Sequence, residues 1–311
     1  RRPRRKDRRG QGRRPALGAR TLVGGVEYLD QRVSSNTVFK NTGRHIASAF
    51  GGYQATWGHH GVQLNARTDE NSQFGTRNTG NAGYSYRMND NVRLRAAVGT
   101  AFKAPTFNDL YFPDTPPFFF SNPNLRPERS RSREAGIDLS HAAHRFSVTA
   151  FQNRIADLIT VVTDPTTFVS TTQNLNSVII EGAEFEHRWR GETYETRARV
   201  TLQSPRDEST GAQLRRRARE FGSFRVQRNL GVWRWSSELV ASGERFDSTT
   251  EARNTRLNGY ALVNLASEYA FTKAWSMGAR WNNVFDRKYE HIQFFNTPRS
   301  NLYVWLAWQT P

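Results

Sequence analysis

Four arginines, Arg215, Arg216, Arg217 and Arg219, stand within five residues of one another. Guanidinium groups this dense must face water or meet an anion, so they are either a solvated rim touching lipid phosphates or donors to ligand amide and phosphate oxygens. A second group is apolar. Pro105, Pro113, Pro116, Pro117, Pro123 and Pro127 stiffen a segment that also carries Phe107, Tyr111, Phe112, Phe118, Phe119 and Phe120. Such a segment either packs upon itself or offers aromatic surface to a large, partly apolar ligand. Covalent chemistry is poorly provided for. HExxH, GxSxG, phosphate-loop and GxGxxG contexts are absent, cysteine is absent, and the seven histidines show no metal spacing beyond adjacent His59 and His60. The chain is therefore expected to bind rather than to catalyse.

The elements that hold these groups follow a period of two. Val92, Leu94, Ala96, Val98, Thr100 and Phe102 alternate with Arg93, Arg95, Ala97, Gly99 and Ala101. Tyr194 to Leu202 and Trp233 to Leu239 repeat the pattern, with Arg197, Arg199, Arg234 and Glu238 on the charged face. Read this way, residues 21–310 predict fourteen strands, among them 168–190, 216–229 and 274–285. Most exceed ten residues, longer than soluble sheets usually carry and close to what a tilted strand needs to cross a bilayer.

Connections alternate too. Short turns fall near Gly58, Asn89, Ala142, Gly191, Leu230 and Lys273, and longer ones at 34–42, 69–75, 103–130, 158–167, 205–215, 244–257 and 286–298. Short turns on one rim and long loops on the other is the layout of an outer-membrane barrel. Trp57, Trp189, Trp275 and Trp308, near strand ends, are candidate girdle residues, with ordinary packing as the alternative. A barrel needs apolar residues only on its outward half, so a hydrophobic content of 36% and a mean hydropathy of −0.74 are compatible with a membrane. Helical membrane spans are excluded because no run of eighteen apolar residues exists. The expectation is an all-β, transmembrane antiparallel β-barrel with its charged residues facing a wet lumen.

The net charge of +17 is uneven, with +9 in the first twenty residues. Arginine outnumbers lysine 40 to 5, which reads as a coding habit more than as selection for phosphate contacts, and no nucleic-acid partner is expected. Residues 1–20 are expected to be a basic disordered or spurious leader, with a polyanion-binding arm as the alternative, and 21–311 to be the barrel. The chain, which opens on an arginine with no signal peptide, reads as a piece of a longer protein.

Six segments carry a resemblance: RTDENSQFG (67–75), GTAFKAP (99–105) with NPNLRPERS (122–130), FQNRIADLI (151–159), LRRRA (214–218) and NVFDRKYE (283–290). In this order they resemble the barrel of TonB-dependent outer-membrane receptors, and the first and fifth resemble the cobalamin branch most. The resemblance implies a 22-stranded barrel plugged by an N-terminal domain that this chain lacks, the fourteen strands being its C-terminal part. Also implied are a Gram-negative outer-membrane location, a monomer in contact with outer-membrane lipid, and import driven by TonB through an N-terminal region outside this chain. The cargo implied is cobalamin or a similar large chelate. No cofactor is expected in this part, because the family's calcium loops belong to the missing front. The acidic run Thr68 to Asn71 is expected to be a solvated loop tip and not a metal cage.

By the same resemblance Arg216 falls nearest a substrate-contacting arginine and Phe295 matches an aromatic contact, although the family more often has tyrosine there. Asn296 and Thr297 add polar contacts, and Tyr111, Phe112 and Phe119 are the aromatic candidates of the proline-rich loop. Three alternatives stay open: a ferric-siderophore receptor, a general diffusion porin, and a soluble all-β binding protein with a basic arm.

Overall fold

A computed structural model of the protein describes residues 5–16, 20–164, 166–248 and 251–310. It opens with β1 (Arg5–Ala16), β2 (Arg20–Arg32), β3 (Gly43–Trp57), β4 (His60–Asn71), β5 (Gly75–Arg87) and β6 (Val92–Lys103). A helix of five residues, α1 (Phe107–Tyr111), and the two-residue β7 (Phe119–Phe120) precede β8 (Glu128–His141), β9 (His144–Thr163) and β10 (Ser170–Arg190). Then come β11 (Tyr194–Asp207), β12 (Glu220–Leu230) and β13 (Trp233–Ser242). The small pair β14 (Arg245–Phe246) and β15 (Arg256–Leu257) leads into β16 (Tyr260–Ala270), β17 (Trp275–Asn282) and β18 (Asn301–Trp308). One sheet joins the long strands in chain order from β1 to β18, each antiparallel to the next, and β7 adds in parallel to β10.

All fourteen strands expected from the alternation are present, as β2–β6, β8–β13 and β16–β18. Several boundaries differ, and the loop expected at 158–167 is largely taken up by β9, which runs on to Thr163. The strand expected at 216–229 begins at Glu220, the one expected at 274–285 ends at Asn282, and the loop expected at 69–75 is a three-residue turn after Asn71. Asp69 and Asn71 are accordingly buried in the sheet instead of forming a solvated tip. Asp69 accepts from Ser48 Oγ at 2.6 Å and pairs with Arg67, while Asn71 Oδ1 accepts the amide of Gln73 at 2.9 Å and closes the turn. Within the stretch expected to be a leader, the backbone of Arg5–Ala16 runs along β2, with Arg5 opposite Gln31 and Ala16 opposite Arg20. An edge strand leaves a row of N–H and C=O groups open, and β1 satisfies that row of β2. Residues 1–4 and 17–19 lie outside the described residues.

Register sorts the side chains into two faces. On the charged face Arg95 lies 3.4 Å from Asp138, Arg197 2.7 Å from Glu186, Arg234 3.3 Å from Glu268 and Arg280 3.5 Å from Glu238. On the other face the row Leu64, Ala82 and Val98 runs across three strands, as does the row Leu265, Trp281 and Leu302. These large apolar side chains are exposed, Val98 by 58% and Leu302 by 65%, which water would penalise and hydrocarbon would not.

Short turns and aromatic rings share one rim. Gly58, at a φ of 53°, permits the two-residue turn between Trp57 and His60. Trp57 stacks on His60, Trp233 lies 4.5 Å from Tyr269, and Trp275 lies 6.5 Å from Trp308, ring centre to ring centre. Trp189 stands at the matching end of β10, beside His144. All four girdle candidates therefore stand on the apolar face at the short-turn rim. Among the described residues most of the deeply buried apolar side chains, including Leu110, Leu125, Leu214 and Leu257, lie at the opposite rim, beneath the long loops.

Candidate functional site

The long-loop rim is built by the loops 33–42, 104–127, 164–169, 208–219, 243–259 and 283–300. Within 104–127, α1 is fixed at its start by a reciprocal cap. Thr106 Oγ1 accepts from the Asp109 amide at 3.1 Å, and Asp109 Oδ2 accepts from the Thr106 amide at 2.8 Å. The helix turns Phe107 and Leu110 inward. Arg44 of β3 lies 5.0 Å over the Phe107 ring and donates to the Pro105 carbonyl at 2.7 Å, which ties the loop to the sheet.

Three candidates of this loop come together. Phe112 meets Phe119 edge to face at 6.0 Å, and also Phe39 at 6.2 Å. Tyr111, the residue before, accepts from Gln73 Nε2 at 2.6 Å. Phe119 is held by the β7–β10 pairing, opposite Ser170. Downstream, Asn122 donates to the Thr172 carbonyl at 3.0 Å, and the Arg126 amide donates to Asn174 Oδ1 at 2.9 Å. The loop thus both packs down, through buried Phe107 and Leu110, and keeps Phe112, Phe118 and Phe120 exposed. Beside it lies a cavity of ≈ 970 Å³ lined by Val33, Phe39, Arg44, Phe107, Asn108 and Phe112.

The arginine cluster is organised by an acid that sequence reasoning did not single out. Asp247, almost fully buried, accepts from Arg215 Nε at 2.7 Å and from Arg216 Nε at 2.5 Å on one oxygen, and from the Gln293 amide at 2.7 Å on the other. Burial pushes the Asp247 carboxyl up, but the Arg216 guanidinium, the Gln293 amide and Arg215 together outweigh it and hold the carboxyl below the usual carboxylate range. The Arg216 amide donates to the Phe246 carbonyl at 2.7 Å, and Arg216 adopts a positive φ of 59°. Arg219 reaches Glu251 at 3.9 Å. The cluster therefore carries its own counter-ions, and Asp247 joins the loops 208–219, 243–259 and 283–300 into one body. The acids Glu244, Asp247 and Glu251 were the available signal, masked by about thirty intervening residues.

Phe295 and Asn296 are exposed on the last loop, two and three residues beyond the amide that Asp247 anchors. Thr297 donates to the Tyr289 carbonyl at 2.6 Å. Arg216 and the loop of Phe295 and Asn296 thus share a partner, while Tyr111, Phe112 and Phe119 form a second group around α1. His59 and His60 serve neither, since His59 Nδ1 lies 2.5 Å from the Arg87 carbonyl and His60 Nδ1 2.6 Å from Tyr84 Oη.

Known proteins share this architecture. The family profile described as "TonB dependent receptor-like, beta-barrel" matches residues 7–284. A vitamin B12 transporter BtuB of Vibrio vulnificus is 32% identical over 285 residues, covering 89% of this chain and 44% of that protein. Another vitamin B12 transporter BtuB, of Photobacterium profundum, is 29% identical over 91% of this chain and 46% of its own length. The chain spans under half the length of these curated relatives. Among solved structures, a ferric enterobactin receptor of Pseudomonas aeruginosa superposes with a TM-score of 0.78 at 18% identity, covering 98% of this chain and 54% of that one. The siderophore receptor PirA of Acinetobacter baumannii gives 0.76 at 17%, over 98% and 54%. At such identities the likeness is one of fold. With the strand order, the two unlike rims and the match along most of its length, this chain belongs to the TonB-dependent receptors, in their β-barrel.

Proposed function

We propose that this chain is part of an outer-membrane receptor that takes up cobalamin at its long-loop rim, with import energised by TonB acting on a region outside this chain. The observation that carries the reading is the combination of a lipid-suited outer face with a loop-built mouth in a chain whose 32% and 29% identical relatives are named vitamin B12 transporters. Phe112 and Phe119 supply flat apolar surface for a large ring, and Arg216 with Asn296 supplies donors to ligand amide and phosphate oxygens, with Phe295 and Tyr111 beside them. Asp247 holds three loops in place before the ligand arrives, so less ordering entropy is lost on binding. No bond of the ligand is made or broken. Transport requires tighter binding in one conformation than in the next, with the energy supplied from the periplasmic side. The receptor is proposed to act as a monomer.

The test is competition at the full-length receptor in outer-membrane vesicles. Labelled cyanocobalamin should be displaced by unlabelled cobalamin and not by ferric enterobactin. Displacement by the siderophore alone would reassign the ligand, and ligand-independent single-channel conductance would favour a porin.

A further inference from the structure

Charge interrupts the apolar face on β8. Arg131 and Arg133 of β8 stand opposite Thr100 and Val98 of β6, so both point outward with the apolar residues and not toward the charged face. Across the next ladder Arg131 is directly opposite Arg154, and Arg133 opposite Gln152. Like charges directly opposite in a sheet repel unless an anion lies between them. Arg154 is engaged by Glu208, with Nε to Oε2 at 2.8 Å, and Glu181 is taken by Arg206 at 2.6 Å and by Gln152 at 2.9 Å. Arg131 and Arg133 are exposed, and among the described residues neither lies within ion-pair distance of a carboxylate.

Height fixes the environment. Arg133 and Arg131 stand nine and eleven residues up β8 from the turn at Ala142. At roughly 2.5 Å of rise per tilted residue, they sit about 20–30 Å above the short-turn rim, where an apolar band of about 25 Å ends. A groove of ≈ 620 Å³ runs along this face, with Ala82 and Val98 in its apolar part and Thr100, Arg131, Arg133 and Arg154 in its polar part. Its two parts match the two parts of a lipid.

We propose that Arg131, Arg133 and Arg154 form an outward-facing seat for the phosphate of an outer-leaflet lipid, whose acyl chain lies against Ala82 and Val98. The seat rests on the membrane-barrel reading. Guanidinium pairs suit phosphate oxygens, and continuity with the apolar band favours a lipid over a free ion.

The experiment uses the full-length receptor in mild detergent, titrated with lipopolysaccharide, with the same glycolipid after removal of its phosphates, and with inorganic phosphate. Expected is saturable binding of the intact lipid only, roughly thirtyfold weaker in R131Q/R133Q at about fivefold per arginine, and largely kept in R131K/R133K. Cobalamin binding should be unchanged in both variants, which reports that the barrel has folded. Equal binding of the dephosphorylated lipid, no loss in R131Q/R133Q, or displacement by inorganic phosphate at low concentration would each overturn the seat. A receptor that stays water-soluble without detergent would remove the membrane reading and the seat with it; one that enters bilayers yet binds no phosphorylated lipid removes the seat alone.

Discussion

Arg216 and Asp247 are 31 residues apart in the chain and 2.5 Å apart in space, with the guanidinium Nε–H donating to a carboxylate that is almost fully buried. The same carboxylate takes the Gln293 amide, so one acid decides where the last loop sits.

Replacing Asp247→Asn should therefore loosen the mouth before it loosens the barrel. The variant keeps the shape but leaves Arg215 and Arg216 without their carboxylate, and cobalamin affinity should fall by about tenfold, the scale of one charge-assisted hydrogen bond. Equilibrium binding to the full-length receptor reads this, with heat-modifiable gel mobility as the folding control. Unchanged affinity would separate Asp247 from the site.

The same pair sets a pH dependence. Asp247 has a depressed carboxyl pKa in the fold, so its contribution is complete above the unfolded value of about 4 and is lost as pH falls through the lower folded value. Protease cleavage within 283–300 should be slow and constant from pH 8 to about pH 5 and rise only below about pH 4. A rise near pH 6 would point to a histidine instead.

In the aromatic group, Phe112→Ala removes both edge-to-face contacts, with Phe119 and with Phe39. Pairs of this kind contribute about 0.5–1.5 kcal/mol each, so a three- to tenfold loss of ligand affinity is expected on the same scale. Tyr111→Phe loses only the hydrogen bond from Gln73 and should cost less, about threefold. Equal effects of the two changes would argue against ring contact with the ligand.

Two adjacent alanines test the faces. Ala96 is in register with Tyr84 and Ala135 on the apolar face, whereas Ala97 is in register with Gly83 and Glu134 on the charged one. Ala96→Arg should destabilise the barrel by about 2–4 kcal/mol in a bilayer, and Ala97→Arg should be tolerated beside Glu134. Urea unfolding in lipid vesicles measures both, and the reverse order would invert the assignment of inside and outside.

Close strand approach gives a fourth site. A Cβ on Gly182 would stand 2.1 Å from the Leu202 carbonyl oxygen and 2.8 Å from the Gln203 Cα, both backbone atoms that cannot swing away. Gly182→Ala should part β10 from β11 locally and cost about 1–3 kcal/mol or more, visible as a smaller heat-modifiable fraction.

The fourteen strands were legible because a period of two is a local property: each residue needs only its neighbours to show which face it shares. The proline-rich loop was legible as a feature for the same reason, its prolines and rings standing together in the chain. Boundaries failed where a partner decided them. Asp69 and Asn71 read as a polar tip until Ser48 and Arg67 were seen to satisfy Asp69 inside the sheet. The Arg215 to Arg219 cluster read as uncompensated because Asp247 lies far along the chain.

By itself, then, the sequence determined an alternating all-β chain with short turns on one side, long loops on the other and its aromatic strand ends near the short turns. Alternation cannot say which of two polar faces is outward, and in the stretch Arg129, Arg131, Arg133 it gives no sign at all. Only the ladder, which sets Arg131 beside Thr100 and Arg133 beside Val98, turned those arginines to the apolar face. Register is made by hydrogen bonds between strands remote in sequence, and a slip of one residue would exchange every face. For that reason the tertiary structure alone decided which side chains share the apolar face, which acid ties the long loops together, and which aromatic rings gather beside α1.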